Sequence, residues 1–118
     1  MRMGDRLVCV PAETPLKDTV KLVSAAKTGA AVLTSEDGRL LGIFTDGDLR
    51  RACLAGGNAL EQTVEQWATM PCLSIDGSTP VSDALKLYQN HRIEDLPVVD
   101  AASGVVIGLL CLKDVPTF

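Results

Sequence analysis

Between residues 42 and 51 the chain runs Gly-Ile-Phe-Thr-Asp-Gly-Asp-Leu-Arg-Arg, and these are the residues whose types and spacing could do chemistry. Thr45 closes an apolar run that reads as a strand, and Asp48 falls in the first turn of the helix expected after it. A helix N-terminus presents unpaired N–H groups and a partial positive charge, which suits a phosphate. Thr45 could add a hydroxyl donor to that phosphate. Asp48 could accept hydrogen bonds from two vicinal sugar hydroxyls. Gly42 and Gly47 would let backbone approach a ligand closely, and Arg50 or Arg51 could reach its phosphate. The same residues also read as ordinary helix capping, with Thr45 or Asp46 as N-cap and Asp48 favoured by the positive helix end. Sequence alone leaves both readings open.

Elsewhere the chemistry is sparse. His91 and Arg92 end a predicted helix, where two cations complement the negative helix C-terminus; the alternative is that they line a cleft and touch a phosphate. Glu94-Asp95 reads as a solvated turn, Trp67 as a packing anchor, and Lys17, Lys21 and Lys27 as a solvated helix face. No Ser stands in a nucleophile elbow, and there is neither a P-loop nor an H-E-x-x-H motif. Asp46 and Asp48, two apart at a helix start, do not face each other. No catalytic residue is assigned. Cys9, Cys53, Cys72 and Cys111 form no C-x-x-C pair and lie far in sequence from the single histidine, so no zinc site is expected. They read as buried, reduced thiols of a cytoplasmic protein.

The composition bounds the elements that must position these residues. Of 118 residues, 47% are hydrophobic and only 3% aromatic, so Val, Leu, Ile and Ala must build the core. That favours β-branched strands under Ala/Leu-rich helices. Eleven Lys and Arg against fifteen Asp and Glu give a net charge of −4, which argues against a broad nucleic-acid or anionic-lipid face and makes any anion site local. No apolar run approaches the ~20 residues that cross a bilayer. The N-terminus has no long apolar stretch followed by a cleavage site, so no secretory signal is expected.

The chain repeats itself. An offset of 65 residues carries Thr14-Pro15 onto Thr79-Pro80, Asp18 onto Asp83, Leu22 onto Leu87 and Val10 onto Ile75. Later an offset of 66 carries Gly38, Gly42 and Asp48 onto Gly104, Gly108 and Asp114. One extra residue in the second unit's turn accounts for the change, because turns tolerate insertions. Each unit begins with a strand, 7–10 or 72–75. Thr14 or Thr79 follows as N-cap, with Pro15 or Pro80 at the first helical position. Leu16, Val20 and Val23 share one face of the first helix, and Val81, Leu85 and Tyr88 one face of the second. A hairpin comes next, of strands 30–34 and 40–45 in one unit and 96–99 and 105–112 in the other, each turning at a glycine. The first unit then enters a helix over about 47–54. The second stops near Pro116, which a helix interior excludes. Residues 1–57 form the first repeat and 58–118 the second, with 58–70 as connector and a short helix around 60–67. Each repeat leaves one sheet face uncovered, so the two are expected to pack about a pseudo-twofold axis.

A doubled β-α-β-β-α unit carrying Gly-Ile-Phe-Thr-Asp-Gly-Asp at its third strand resembles the CBS domain pair, or Bateman module, an α/β (α+β) fold. The segment from Gly42 to Arg51 is similar to the CBS region of bacterial arabinose-5-phosphate isomerases of the sugar-isomerase (SIS) type, and Arg92 to Asp100 resembles the usual lead into the middle strand. The resemblance implies a regulatory module that senses a nucleotide-type ligand such as AMP, ATP or a cytidine sugar nucleotide. It also implies a homodimer and a sugar-isomerase domain elsewhere. The family's usual nucleotide contacts, a threonine and an aspartate, fall on Thr45 and Asp48. In the second repeat Cys111 replaces the threonine and Asp114 remains. A thiol is a weak donor to phosphate, so that site is expected to be weaker or to take another ligand.

Overall fold

The computed structural model describes residues 7–76, 78–80, 82–83, 85–86 and 95–111. In chain order these form β1 (Cys9–Val10), α1 (Leu16–Ala26), β2 (Ala30–Thr34), β3 (Leu40–Thr45) and α2 (Asp46–Ala55). Two 3-10 turns (Ala59–Glu61 and Val64–Gln66) lead to β4 (Ile75–Asp76), β5 (Asp95–Val99) and β6 (Val106–Cys111). Residues 82, 83, 85 and 86 are helical.

The strands make two three-stranded sheets of one topology, β1-β2-β3 and β4-β5-β6. In each, the outer strand runs parallel to the middle one and the hairpin is antiparallel. Ala30 faces Thr45 across the first hairpin and Asp95 faces Cys111 across the second. At the turns, Thr34 lies opposite Leu40 and Val99 opposite Val106, which puts the second repeat's extra residue in its turn.

β2 is apolar from Ala30 to Leu33 because both of its faces are covered. Ala31 and Leu33 point to a core with Leu16 of α1, Phe44, Ala52 of α2 and Val64 of the connector. Ala30 and Val32 point the other way and meet Ile43 and Leu109, so the second cluster joins the two sheets. The hairpin turns also touch. Arg39 forms an antiparallel bridge with Val105, the Val106 N–H donates to the Gly38 carbonyl at 2.9 Å, and Arg39 Nε donates to the Ser103 carbonyl at 2.9 Å. Gly38 and Gly104, equivalent at the 66-residue offset, hold φ of 83° and 76°, a region L-residues avoid.

Three local expectations are corrected, and helix α2 takes Thr45, one of its two expected caps. Helix α1 starts at Leu16, with Pro15 in the cap position and no side-chain cap. The Leu16 N–H donates instead to the Gln62 carbonyl at 2.8 Å, so the connector replaces the hydroxyl cap expected from Thr14. Helix α2 starts at Asp46, capped by Thr45. The connector is not one short helix, because its N–H groups pair elsewhere: Val64 with the Thr14 carbonyl at 2.8 Å and Glu65 with the Ala12 carbonyl at 3.1 Å. Of the four free cysteines, only Cys111 is buried. Cys9 alternates outward on β1 while Val10 points in, and Cys53 lies exposed on α2.

Candidate functional site

Helix α2 begins directly after the last residue of β3, so the backbone turns sharply at Thr45 and the first helical turn follows at once. Thr45 and Asp48 make a capping box. The Thr45 N–H donates to Asp48 Oδ2 at 2.9 Å and the Thr45 hydroxyl lies 3.3 Å from the same oxygen. Oδ1 takes a hydrogen bond from the Thr69 hydroxyl at 3.4 Å and an ion pair from Arg51. Asp48 is 1% exposed, although its partner Arg51 keeps 61% of its side chain in solvent. A carboxylate this deeply buried persists only with such partners.

Thr69 and Trp67 belong to the connector, and the sequence reading did not connect them with the motif. The Ile43 N–H donates to the Thr69 carbonyl at 3.0 Å, and the Thr69 N–H returns a bond to Ile43 at 2.8 Å. The connector thus adds one residue to the free edge of β3. Arg51 also donates to the Trp67 carbonyl at 3.4 Å, and the Trp67 indole N–H donates to Gln62 Oε1 at 3.0 Å. The ring packs half-buried against the helix-side core, the anchor expected of it.

Gly42 explains how the connector fits. A Cβ there would stand 2.3 Å from Met70 Cγ and 2.6 Å from the Thr69 carbonyl oxygen. The close approach that this glycine permits is made by the chain's own Thr69–Met70 segment. The only sequence signal was the glycine itself, which was read as room for a ligand. Gly47, exposed in the first turn of α2, has the Thr45 hydroxyl 3.6 Å from where its Cβ would be. Arg50 is exposed one residue before Arg51. The structure therefore brings Thr45, Asp48 and Arg51 into direct contact, with Gly42 under the connector and Arg50 on the outer surface.

On the other side of the α2 N-terminus lies a cleft of about 160 Å³ between the helices, bordered by Val23, Lys27, Thr28, Phe44, Thr45 and Asp46. In the second repeat, Cys111 stands where Thr45 stands in the first, and it is 2% exposed. Asp114, His91 and Arg92 lie outside the described residues. Among the thiols, partial burial pushes Cys72 up to about 11. Among the described residues no cluster of His, Cys, Asp and Glu could hold a metal ion, and no helix is long and apolar enough to cross a membrane.

Comparison with known proteins gives a consistent picture. The family model described as "CBS domain" matches residues 2–55 and again 64–115. Arabinose 5-phosphate isomerase KdsD of Pseudomonas aeruginosa is 35% identical over 114 residues, which cover 97% of this chain and 35% of that protein. Arabinose 5-phosphate isomerase GutQ of Escherichia coli K12 is 30% identical over the same shares. The chain thus spans about a third of the length of these curated relatives. Among solved structures, the CBS-domain protein ATU1752 of Agrobacterium tumefaciens superposes with a TM-score of 0.81 at 27% identity, over 92% of this chain and 85% of that one. CBSX2 in complex with AMP superposes with a TM-score of 0.81 at 25% identity, over 97% and 87%.

Proposed function

The chain belongs to the CBS domain family, and on that premise we propose that it is a regulatory CBS pair that senses a nucleotide-type ligand. The ligand class is an adenosine or cytidine phosphate, or a sugar nucleotide. The observation that carries this reading is the Thr45–Asp48 pair at the start of α2. A hydroxyl and a carboxylate stand there at a helix N-terminus, whose N–H groups are the donors a phosphate needs, next to the acceptor that a ribose diol needs. A nucleotide-bound relative of the same fold, CBSX2 with AMP, supports the ligand class. Arg50 and Arg51 supply cations for the phosphate, and His91, Arg92 and Asp114 belong to the remaining ligand surface. The module acts on an arabinose-5-phosphate isomerase-type domain, in the cytoplasm and as a homodimer; the KdsD and GutQ similarity supports the isomerase association.

A ligand that touches both repeats favours one relative orientation of the two sheets, and the difference in affinity between orientations is what passes to a neighbouring domain. A thermal-shift series with AMP, ATP, CMP and a cytidine sugar nucleotide tests the reading. A rise in unfolding temperature that grows with nucleotide concentration is expected, and no rise at millimolar nucleotide rules the reading out.

A second reading is a ligand-free dimerisation module. It is favoured by Leu22 at 48% and Leu54 at 86% exposure on the two helices. The same thermal-shift series separates the two.

A further inference from the structure

Asp48 is the residue a ribose would need, yet 1% of it is exposed. Its two oxygens are held differently. Oδ2 is taken by Thr45, backbone and hydroxyl, within the turn that starts α2. Oδ1 is taken by two side chains from outside that turn: Arg51 and Thr69. Both are at the surface, so both can leave without opening the core. Thr45 cannot leave without undoing the helix cap.

We infer that Arg51 and Thr69 are internal stand-ins for ligand hydroxyls, and that the connector segment 67–70 is a strap that competes with the ligand for Asp48 Oδ1. The inference rests on the nucleotide reading and adds the site's regulation to it. The chemistry is a one-for-one exchange. Two donors of the chain, a guanidinium N–H and a threonine O–H, are replaced on one carboxylate oxygen by the hydroxyls of a vicinal diol. The strap is also tied by the backbone pair between Thr69 and Ile43, by the Arg51 bond to the Trp67 carbonyl, and by Trp67 itself, whose indole N–H donates to Gln62 and whose ring packs on the helix-side core. Loss of Arg51 and the Thr69 hydroxyl from Asp48 therefore leaves the 69–70 end of the strap held to β3 by the main-chain pair alone, with Trp67 still anchored at the other end. Because the strap leads directly into the second repeat, occupancy at the first repeat's motif is felt by the segment that joins the repeats. Gly42 keeps the strap seated in the ligand-free state, since any side chain there would meet Met70 and the Thr69 carbonyl.

Calorimetric titration of the full chain and of Arg51→Met and Thr69→Val tests this, with adenosine and AMP as probes. Adenosine carries the diol without a phosphate, so it isolates competition at Asp48 from any phosphate contact of Arg51. Each variant is expected to bind adenosine about three- to tenfold more tightly than the parent chain. Unchanged or weaker adenosine binding in both variants overturns the inference. Hydrogen exchange of the Thr69 amide gives a readout that needs no ligand, because that N–H donates to Ile43 under the strap. Its exchange is expected to quicken in both variants, and unchanged exchange overturns the strap. If no protein binds either probe, the nucleotide reading fails. The strap is then decided by exchange alone, faster exchange supporting it and unchanged exchange overturning it.

Discussion

Arg39 and Val105 lie opposite each other in an antiparallel bridge, and each is the other's counterpart at the 66-residue offset. A residue that pairs with its own equivalent marks the pseudo-twofold axis, so the two repeats meet turn to turn as well as sheet to sheet. Gly38 sits beside this joint with φ of 83°, and a Cβ there would stand 3.3 Å from Val105 Cγ1. Gly38→Ala is expected to destabilise the chain by roughly 1–2 kcal/mol, from left-handed backbone strain on top of the contact. The urea midpoint measures it, and a midpoint equal to the parent's contradicts the joint.

Gly42 is constrained by its neighbour rather than by its φ. An added methyl would overlap both a side chain and a carbonyl of Thr69–Met70. Gly42→Ala is expected to cost roughly 1–3 kcal/mol by overpacking. Adding Met70→Ala restores only part of it, because the Thr69 carbonyl stays in place. Full recovery in the double variant, measured by thermal unfolding, would place the whole clash on the methionine.

The thiols should react in a fixed order. The thiolate is the nucleophile, and burial that raises Cys72 to about 11 leaves little of it ionised at pH 8. Exposed Cys53 is expected to be labelled by a disulfide reagent before Cys72, and buried Cys111 only on unfolding. Peptide mass mapping over time reads the order directly.

Asp100 holds the second hairpin turn. Its carboxylate accepts from the N–H groups of Ser103 at 3.0 Å and Ala102 at 2.9 Å, and these bonds, Ser103 first, lower its pKa below the usual aspartate value. A lowered folded-state pKa contributes stability above the unfolded value of about 3.9 and loses it as pH falls through the folded value. Carboxyl NMR titration should place the Asp100 midpoint below 3.9. In Asp100→Ala, the acid limb of the stability profile should flatten slightly.

The middle strand and hairpin of the first repeat were legible because β-branched and apolar runs bounded by glycine turns leave few alternatives: 30–34 and 40–45 appear as expected. The offset change pointed to the turn because only a turn absorbs an insertion without reversing every side chain behind it. What the sequence hid was non-local. Nothing near Leu16 says that Gln62 will accept its N–H, so Thr14 looked like a cap. Nothing near Asp48 says that Thr69 will reach it, because the two are 21 residues apart, across the rest of α2 and a connector with no periodic pattern. The cysteines misled for a related reason: an apolar run shows that a strand or helix is present without saying which of its faces is covered.

The central claim, that the first repeat's motif binds a nucleotide through Asp48, is tested most directly by calorimetric titration of AMP into the parent chain, Asp48→Ala and Asp114→Ala. The unfolding midpoint of each protein is measured alongside, because Asp48 also supports its helix. A hydrogen bond to a charged group is worth roughly 1.5–3 kcal/mol, so Asp48→Ala should weaken binding about tenfold to a hundredfold while Asp114→Ala changes it little. Binding abolished by Asp114→Ala and left intact by Asp48→Ala would contradict the account.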